Sequence, residues 1–132
     1  MYRRRMSIPL RVSTSLLFSF LALALSCGSP AQQAGIGSEC GDDDDCPDDQ
    51  SCLDFAGGYC GLQDCSDDDD CPAGSACVDH DDGETYCFLI CTDKAECNAS
   101  RSASAESNCS SSITFVEEQQ GGVKACVPPS SD

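Results

Sequence analysis

The chain has 132 residues, of which 23 are acidic and seven are basic, and its formal net charge is −16. This balance excludes binding to nucleic acid by charge, because such binding depends on Lys and Arg contacts with phosphates. Thirteen cysteines and no tryptophan in so short a chain favour a disulfide-bonded protein from an oxidising compartment.

The first 26 residues show the order of features that is typical of a secretion signal. Arg3, Arg4 and Arg5 form a basic leader, and an uncharged run rich in Leu, Phe and Ala follows from residue 12. This run is shorter than the roughly 20 apolar residues that span a membrane. We therefore interpret residues 1–26 as a signal peptide that is not part of the folded protein.

Residues 24–28 read Ala-Leu-Ser-Cys-Gly, and this sequence resembles the lipobox of bacterial lipoproteins. The resemblance implies cleavage before Cys27 and attachment of lipid to this cysteine. Gly28 resembles the residue at this place in lipoproteins sorted to the outer membrane, which implies a location on its periplasmic or cell-surface side. Lipidation would also account for the thirteenth cysteine, which has no partner once the other twelve are paired. The alternative is an ordinary cleavage site and secretion.

Small and uncharged residues dominate positions 27–38, which predicts a flexible tether between the lipid and the first cysteine-rich unit. Removal of the signal would leave all 23 acidic residues but only three basic ones, Lys94, Arg101 and Lys124, for a formal charge of −20. This charge favours solubility and a loose cloud of cations. It argues against adhesion to anionic lipid headgroups by charge.

The other twelve cysteines form three consecutive units of four, and each unit begins Cys-x5-Cys. We predict cysteine-rich repeats at residues 39–62, 63–90 and 91–127, followed by a disordered tail at 128–132. In an exported chain the cysteines predict six disulfides. Four cysteines allow three pairings, and we favour first with third and second with fourth, since pairing of adjacent cysteines closes only tiny loops. The units contain Cys40, Cys46, Cys52 and Cys60; Cys65, Cys71, Cys77 and Cys87; and Cys91, Cys97, Cys109 and Cys126.

An acidic stretch lies between the first two cysteines of each unit. The first two units read Asp-Asp-Asp-Asp-Cys-Pro, and the third has acids at the first and fourth positions only. An acid three residues ahead of another resembles a capping box, which predicts a short helical turn. Pro47 and Pro72 would end this turn, because proline cannot continue a helix.

The later part of each unit favours strands. Residues 85–90 are β-branched and aromatic, and residues 113–116 and 123–127 flank a Gly-Gly pair, which predicts a β-hairpin. The insert at 98–108 is rich in Ser and Ala and predicts an exposed loop. We therefore expect a small disulfide-rich fold of three tandem four-cysteine repeats, with short helical turns and β-hairpins. Its large apolar residues are scattered, so we expect little hydrophobic core, and disulfides must replace it.

Carboxylates are the first candidate ligands, because calcium takes about six to eight oxygen ligands and suits extracellular acidic loops. The candidates for weak calcium binding are Asp42, Asp45, Asp67, Asp70, Asp79 and Asp81. Residues 79–83 do not match an EF-hand, because Gly83 occupies the fifth position instead of the sixth. The alternative is a solvated acidic surface without bound metal.

Neither zinc binding nor catalysis is favoured. Structural zinc sites use cysteines separated by roughly two to four residues, as Cys87 and Cys91 are, and they need reduced thiolates. His80 is the single histidine, and it lies among acids in a predicted loop with no nucleophile motif nearby. We therefore expect an exposed histidine and no enzyme.

The pattern Cys-x-Asp-Asp-Asp-Asp-Cys-Pro-x4-Cys resembles the short acidic repeats of exported lipoproteins in Gram-negative bacteria. It is more distantly similar to the N-terminal cysteine-rich region of Dickkopf proteins and to EGF-like modules. The likeness covers residues 40–87 well and residues 91–126 loosely. It implies a disulfide-bonded binding or spacer module, and no functional residue transfers with it.

Together these patterns predict a lipid-anchored cell-envelope protein with a non-catalytic binding, adhesion or structural role. Its partner would be an unknown envelope or extracellular protein or a carbohydrate, and weak calcium is the only candidate cofactor. One alternative is a calcium-dependent adhesion or envelope-stabilising module. Another, less favoured, is a protease inhibitor that presents the segment between Cys97 and Cys109, although its Ser/Ala composition suggests a floppy loop.

Overall fold

A computed structural model describes residues 35–131, so the predicted signal peptide, Cys27 and residues 28–34 lie outside the described residues. The protein is mostly β-sheet with little helix. Its strands are β1 (Ser51–Leu53), β2 (Tyr59–Gly61), β3 (Ser75–Asp79), β4 (Thr85–Cys91), β5 (Asn108–Ser110), β6 (Thr114–Phe115) and β7 (Lys124–Val127). Two 3-10 turns, Asp43–Asp45 and Asp68–Asp70, and one short helix, α1 (Lys94–Cys97), complete it. Across residues 35–131, no helix has the length and apolar character needed to cross a membrane.

The strands form one separate pair and one larger sheet. β1 pairs with β2, and the other five strands form an antiparallel sheet in the order β5-β7-β4-β3-β6. The longest strand, β4, lies at the centre of this sheet. Its residues Thr85 to Leu89 pair with β3, and its residues Ile90 and Cys91 pair with β7. This strand therefore connects the second unit to the third.

All twelve cysteines of the three units form disulfides. The pairing that the sequence favours, first with third and second with fourth, is confirmed in each unit. The bonds are Cys40–Cys52, Cys46–Cys60, Cys65–Cys77, Cys71–Cys87, Cys91–Cys109 and Cys97–Cys126. Every bond closes within its own unit, so no disulfide joins one unit to another.

The third and fourth cysteines of each unit face each other across an antiparallel strand pair. The partners in register are Cys52 and Cys60, Cys77 and Cys87, and Cys109 and Cys126. Each of these cysteines is bonded to a cysteine from the first part of its unit, so the two disulfides attach the helical turn to the strand pair.

The hairpin predicted from residues 113–127 is wrong. β6 pairs with β3 at one edge of the sheet, whereas β7 pairs with β4 and β5. The N–H of Val116 donates to the carbonyl oxygen of Cys77, and β7 is held against β5, its partner in the third unit. Gly121 and Gly122 both adopt positive φ, but they turn a longer connection between opposite sides of the sheet.

The prediction of little hydrophobic core is also wrong, because aromatic rings from two units converge. The ring of Phe55 lies 5.2–6.1 Å from the rings of Tyr59, Tyr86, Phe88 and His80. Tyr59 and Phe88 are fully buried. Burial of one such side chain contributes about 1.5–3 kcal/mol, so this aromatic cluster stabilises the packing of the first unit on the second. The rings are scattered in sequence and meet only because the units pack together.

Both ends of the described chain pack against the first unit, at residues that belong to the predicted tether and tail. Ile36 is buried, and the N–H of Gly37 donates to the carbonyl oxygen of Cys60. At the other end, the N–H of Ala56 donates to the carbonyl oxygen of Pro129, and Ser130 forms a β-bridge with Phe55. Apolar contact and backbone hydrogen bonds offset the entropy of ordering these segments.

Gly58 provides a test of the packing around the first pair of disulfides. Its φ is +67°, and a Cβ there would lie 2.1 Å from the carbonyl oxygen of Cys40. Gly83 has a φ of +88° with no atom within 4 Å of its Cβ position, so it is a matched control. We expect Gly58→Ala to lower the free energy of unfolding by about 1–3 kcal/mol more than Gly83→Ala, because only the former overpacks. Guanidinium unfolding with intact disulfides measures the difference, and equal losses would contradict it.

Candidate functional site

All three acidic stretches cap their own backbone. The Asp67 carboxylate accepts hydrogen bonds from the N–H groups of Asp69 and Asp70, and Asp70 accepts one from the N–H of Ser66 at 2.8 Å. In the first unit, Asp42 accepts a hydrogen bond from the N–H of Asp44, and Asp45 accepts one from the N–H of Gly41. In the third unit, Asp93 accepts hydrogen bonds from the N–H groups of Ala95 and Glu96. Glu96 in turn accepts one from the N–H of Thr92. Four of the six candidate calcium ligands therefore bind backbone N–H groups.

In the first two runs, a second acid has a role that the sequence did not predict. Asp43 accepts a hydrogen bond from the N–H of Cys52, and Asp68 accepts one from that of Cys77, both at 2.8 Å. These bonds join each turn to the strand that follows it. Charge-assisted bonds of this kind are stronger than neutral ones. The sequence offered one sign of this role, because the first two units both have an aspartate immediately after the capping acid.

The third unit differs at this position, where Lys94 replaces the second acid. The Lys94 ammonium lies 2.6 Å from the carboxylate of Glu106, and both side chains are about half exposed. Exposed ion pairs of this kind contribute only about 0–1 kcal/mol. The third turn is thus less acidic than the other two, and its short helix replaces the 3-10 turn.

The structure does not gather the candidate calcium ligands into one site. Asp79 ends β3 and Asp81 lies in the β3–β4 loop, whereas the other four candidates belong to the two acidic turns. Among residues 35–131, the groups of three possible ligand atoms within 4.8 Å of one another consist of cysteine sulfurs, all of them in disulfides. Calcium binding therefore stays a prediction.

His80 is not the exposed loop histidine that the sequence predicts. Only 14% of its side chain is accessible, because its ring packs edge-on against Phe55, Tyr86 and Phe88. Its Nδ1 lies 3.1 Å from the Asp82 carboxylate. The histidine thereby attaches the β3–β4 loop to the aromatic cluster.

Asp82 accepts hydrogen bonds from several groups around this loop. The Tyr86 hydroxyl donates to it at 2.9 Å, and the N–H of Glu84 donates at 3.0 Å. Desolvation raises the pKa of Asp82, but these bonds and His80 outweigh it and hold that pKa below its ordinary value. Desolvation, together with the bond to Asp82, raises the pKa of Tyr86 to about 12.

Two shallow depressions adjoin His80 and Asp81, and we call them together the His80 groove. One has a volume of about 160 Å³ and the other of about 370 Å³. Their lining is Val78, Asp79, Asn108, Ser110, Ser112, Ile113 and Val127 on one side, and Asp54, Phe55, Asp82, Ser130 and Ser131 on the other. The groove combines carboxylates, hydroxyls and an amide with apolar surface. Such a mixture suits recognition of a polar ligand through hydrogen bonds.

The insert at 98–108 is a braced segment, contrary to the predicted exposed and floppy loop. Arg101 donates to the carbonyl oxygen of Ala105 within the insert and to those of Gly37, Ala56 and Gly58 in or next to the first unit, at 2.7–3.1 Å. Ala105 and Ser107 are buried, whereas residues 102–104 remain exposed. Arg101 thus joins the third unit to the first, and no sequence motif marks this role.

Arg101 keeps its charge in a partly buried setting. Burial lowers its pKa from the ordinary value, while Glu39 and Tyr59 act in the opposite direction. Its guanidinium carbon lies 5.7 Å from the centre of the Tyr59 ring, a cation–π geometry. The Ser102 hydroxyl donates to Glu39 at 2.7 Å and lowers the pKa of that carboxylate. Charge and hydrogen bonds therefore both stabilise this contact between units.

Comparisons of this chain with protein-family models, with curated proteins and with solved structures found no match.

We expect Arg101→Lys to loosen the contact between the first and third units. A lysine ammonium cannot donate in the forked geometry that reaches four carbonyls, and the loss should be at least about 2 kcal/mol in unfolding free energy. Lysine preserves a trypsin site, so limited digestion should cut after residue 101 in the variant and not in the native protein. Lys94→Arg is the control, with unchanged digestion after residue 101. Equal resistance of Arg101→Lys would contradict the proposed role.

We expect stability to fall at alkaline pH because of Tyr86. Its folded pKa of about 12 exceeds the ordinary value of 10.0. The folded state therefore holds the proton more tightly, and this contribution is complete below pH 10.0 and is lost as pH rises to about 12. Subtracting the ultraviolet titration of Tyr86→Phe from that of the native protein gives the Tyr86 curve. After reduction and unfolding, the same difference should titrate near 10.0; a native midpoint there would refute the prediction.

Proposed function

We propose that this chain is an exported lipoprotein, anchored through Cys27, whose folded body is a non-catalytic binding or structural module of the cell envelope. The observation that supports this most is the set of six disulfides in one small body. Disulfides persist in oxidising compartments outside the cytosol. The lipobox resemblance at residues 24–28 and the acidic charge agree with an exported, soluble body beside a membrane.

We also infer that the three four-cysteine units are repeats of one module. Each has an acid-capped turn, two disulfides that attach this turn to strands, and a third and fourth cysteine in register. The disulfide Cα–Cα distances are 5.8, 5.9 and 5.9 Å for the first bond of each unit, and 5.4, 5.4 and 5.3 Å for the second. This agreement favours duplication of one disulfide-bonded unit over an independent origin of the three units.

The His80 groove is the proposed binding surface. It is the recess in which polar groups from β3, β5 and the chain end converge beside an aromatic ring. A binding role fits better than catalysis, because the Nδ1 of His80 faces Asp82 and, within residues 35–131, no hydroxyl or thiol donates to the histidine ring. An extracellular protein or a carbohydrate remains the proposed class of partner.

Anchoring would hold the body close to the membrane surface. The packing of Ile36 and Gly37 shortens the spacer after Cys27 to about residues 28–34. A chain of this length reaches at most about 25 Å when fully extended. The module would thus act within a short distance of the lipid headgroups, next to envelope components.

The intact mass of the protein, isolated from its membrane fraction with and without reduction, tests the proposal. We expect cleavage before Cys27, an acyl adduct, and a gain of twelve hydrogens when six disulfides are reduced. Cys27→Ser is the control and should lack the adduct and leave the membrane fraction. An unmodified Cys27 in the native protein, or free thiols in the units, would refute the proposal of a lipid-anchored and disulfide-bonded protein.

Calcium added to the same sample tests the alternative of a calcium-dependent module. If that module exists, the ion should protect the loops around Asp79 and Asp81 from hydrogen exchange, and Asp81→Asn should abolish this protection. If exchange does not change, the carboxylates serve as backbone caps and solvated surface. The protease-inhibitor alternative has its own test, inhibition of a panel of proteases, because Arg101 braces the insert while residues 102–104 stay exposed.

A further inference from the structure

Three carboxylates beside the His80 groove have no cationic partner in the part of the chain that the structure describes. They belong to the exposed residues Asp54, Asp79 and Asp81. The ion pairs found there involve other carboxylates, those of Asp82 and Glu106. The capping acids of the turns accept hydrogen bonds from backbone N–H groups, whereas these three carboxylates are open to a ligand.

The cations of the folded body lie elsewhere. Lys94 pairs with Glu106, and Arg101 donates to four carbonyl oxygens at its contact with the first unit. Lys124 borders a different depression, together with Ile90. The lining of the groove includes none of these three cations, so among residues 35–131 nothing basic offsets its negative charge. The formal net charge of −16 adds to the attraction for a cationic partner.

The arrangement of the carboxylates suits an organic cation better than a single metal ion. Within residues 35–131, the carboxylates of the groove do not bring three ligand atoms within 4.8 Å of one another. Calcium gathers about six to eight oxygens around one point. Ammonium or guanidinium groups on separate side chains need no such convergence, because each forms its own charge-assisted hydrogen bonds with one carboxylate.

The shape of the groove suits a polypeptide. Sites for small molecules usually bury most of the ligand in one cavity, whereas this groove consists of two shallow depressions that share His80 and Asp81 in their lining. Ile113 and Val127 add half-buried apolar surface. Lysine and arginine lay their apolar stems along such surface and keep the charged group in polar surroundings. An extended segment with basic side chains therefore matches both the shape and the charge.

We propose that the His80 groove binds an extended segment of a partner protein that carries lysine or arginine side chains. This inference rests on the proposed function, in which the groove is the binding surface, and it names the class of partner. The basic side chains pair with Asp54, Asp79 and Asp81, and the hydroxyl and amide groups of the lining bind the backbone of the segment. A neutral carbohydrate would leave the three carboxylates unpaired, so the groove favours the basic segment.

An NMR titration of the mature protein in nonionic detergent micelles tests the proposal. The probes are the capped peptides Gly-Lys-Leu-Lys-Gly and Gly-Arg-Leu-Arg-Gly, and Gly-Gln-Leu-Gln-Gly is the uncharged control. We expect the basic peptides, and not the control, to shift the amide signals of residues 78–82 and 108–113. Asp79→Asn/Asp81→Asn should weaken their binding by about tenfold, through the loss of two ion pairs.

A second double variant makes the same change of charge away from the groove. Asp44→Asn/Asp69→Asn alters the two acidic turns at exposed residues whose N–H groups, and not their carboxylates, take part in the caps. We expect this variant to bind the basic peptides as the native protein does, because salt screens charges that do not contact the ligand.

Equal weakening in the two double variants, or shifts spread evenly over the acidic turns and the groove, would indicate unspecific attraction and overturn the proposal. If a variant does not fold, the map of shifted signals in the native protein decides alone. Tighter binding of spermidine than of either peptide would assign the groove to a free polyamine and refute a partner protein.

A neutral oligosaccharide, chitotriose, separates this inference from the proposed function. If chitotriose shifts the groove signals and the basic peptides do not, the groove remains a binding surface but the basic partner is wrong. If no probe shifts these signals, the groove fails as a binding surface and the inference fails with it. The lipid anchor is tested separately, by the intact mass.

Discussion

The connection of each helical turn to a strand pair by two disulfides is the constraint on which the rest of the structure depends. The third and fourth cysteines of a unit are neighbours across the strands, so their bonds reach back to the turn. A disulfide that closes a loop of about 15 residues restricts the unfolded chain by about 3 kcal/mol. Because every disulfide lies within one unit, the disulfides stabilise the single units but do not join one unit to another.

The joining of the units depends on noncovalent contacts around Tyr59. Its ring packs against Phe88 of the second unit, its hydroxyl accepts a hydrogen bond from the N–H of Leu89, and Arg101 of the third unit lies over its face. One residue of the first unit thereby contacts both others. The acidic turns point their carboxylates at backbone N–H groups, which reduces the repulsion that so negative a chain would otherwise suffer.

Local features were predictable from the sequence, and distant ones were not. The Cys-x5-Cys spacing and the acids three residues apart involve neighbours in the chain, so they indicated the disulfide pairing and the caps of Asp67 and Asp93. The pairing of β6 with β3 depends on which strand edges are open, which no local pattern encodes. The same holds for His80 and Arg101, whose partners lie in other units; composition alone made both appear to belong to exposed loops.

The attachment of both described ends to the first unit has a mechanical consequence. Residues near Gly37 are hydrogen-bonded to β2, and Pro129 and Ser130 are bonded to the segment that follows β1. A force applied between the two ends of the described chain would first shear these few contacts. The second and third units would stay unstrained until the C-terminal segment detached, so they could hold a partner while the chain ends were under tension.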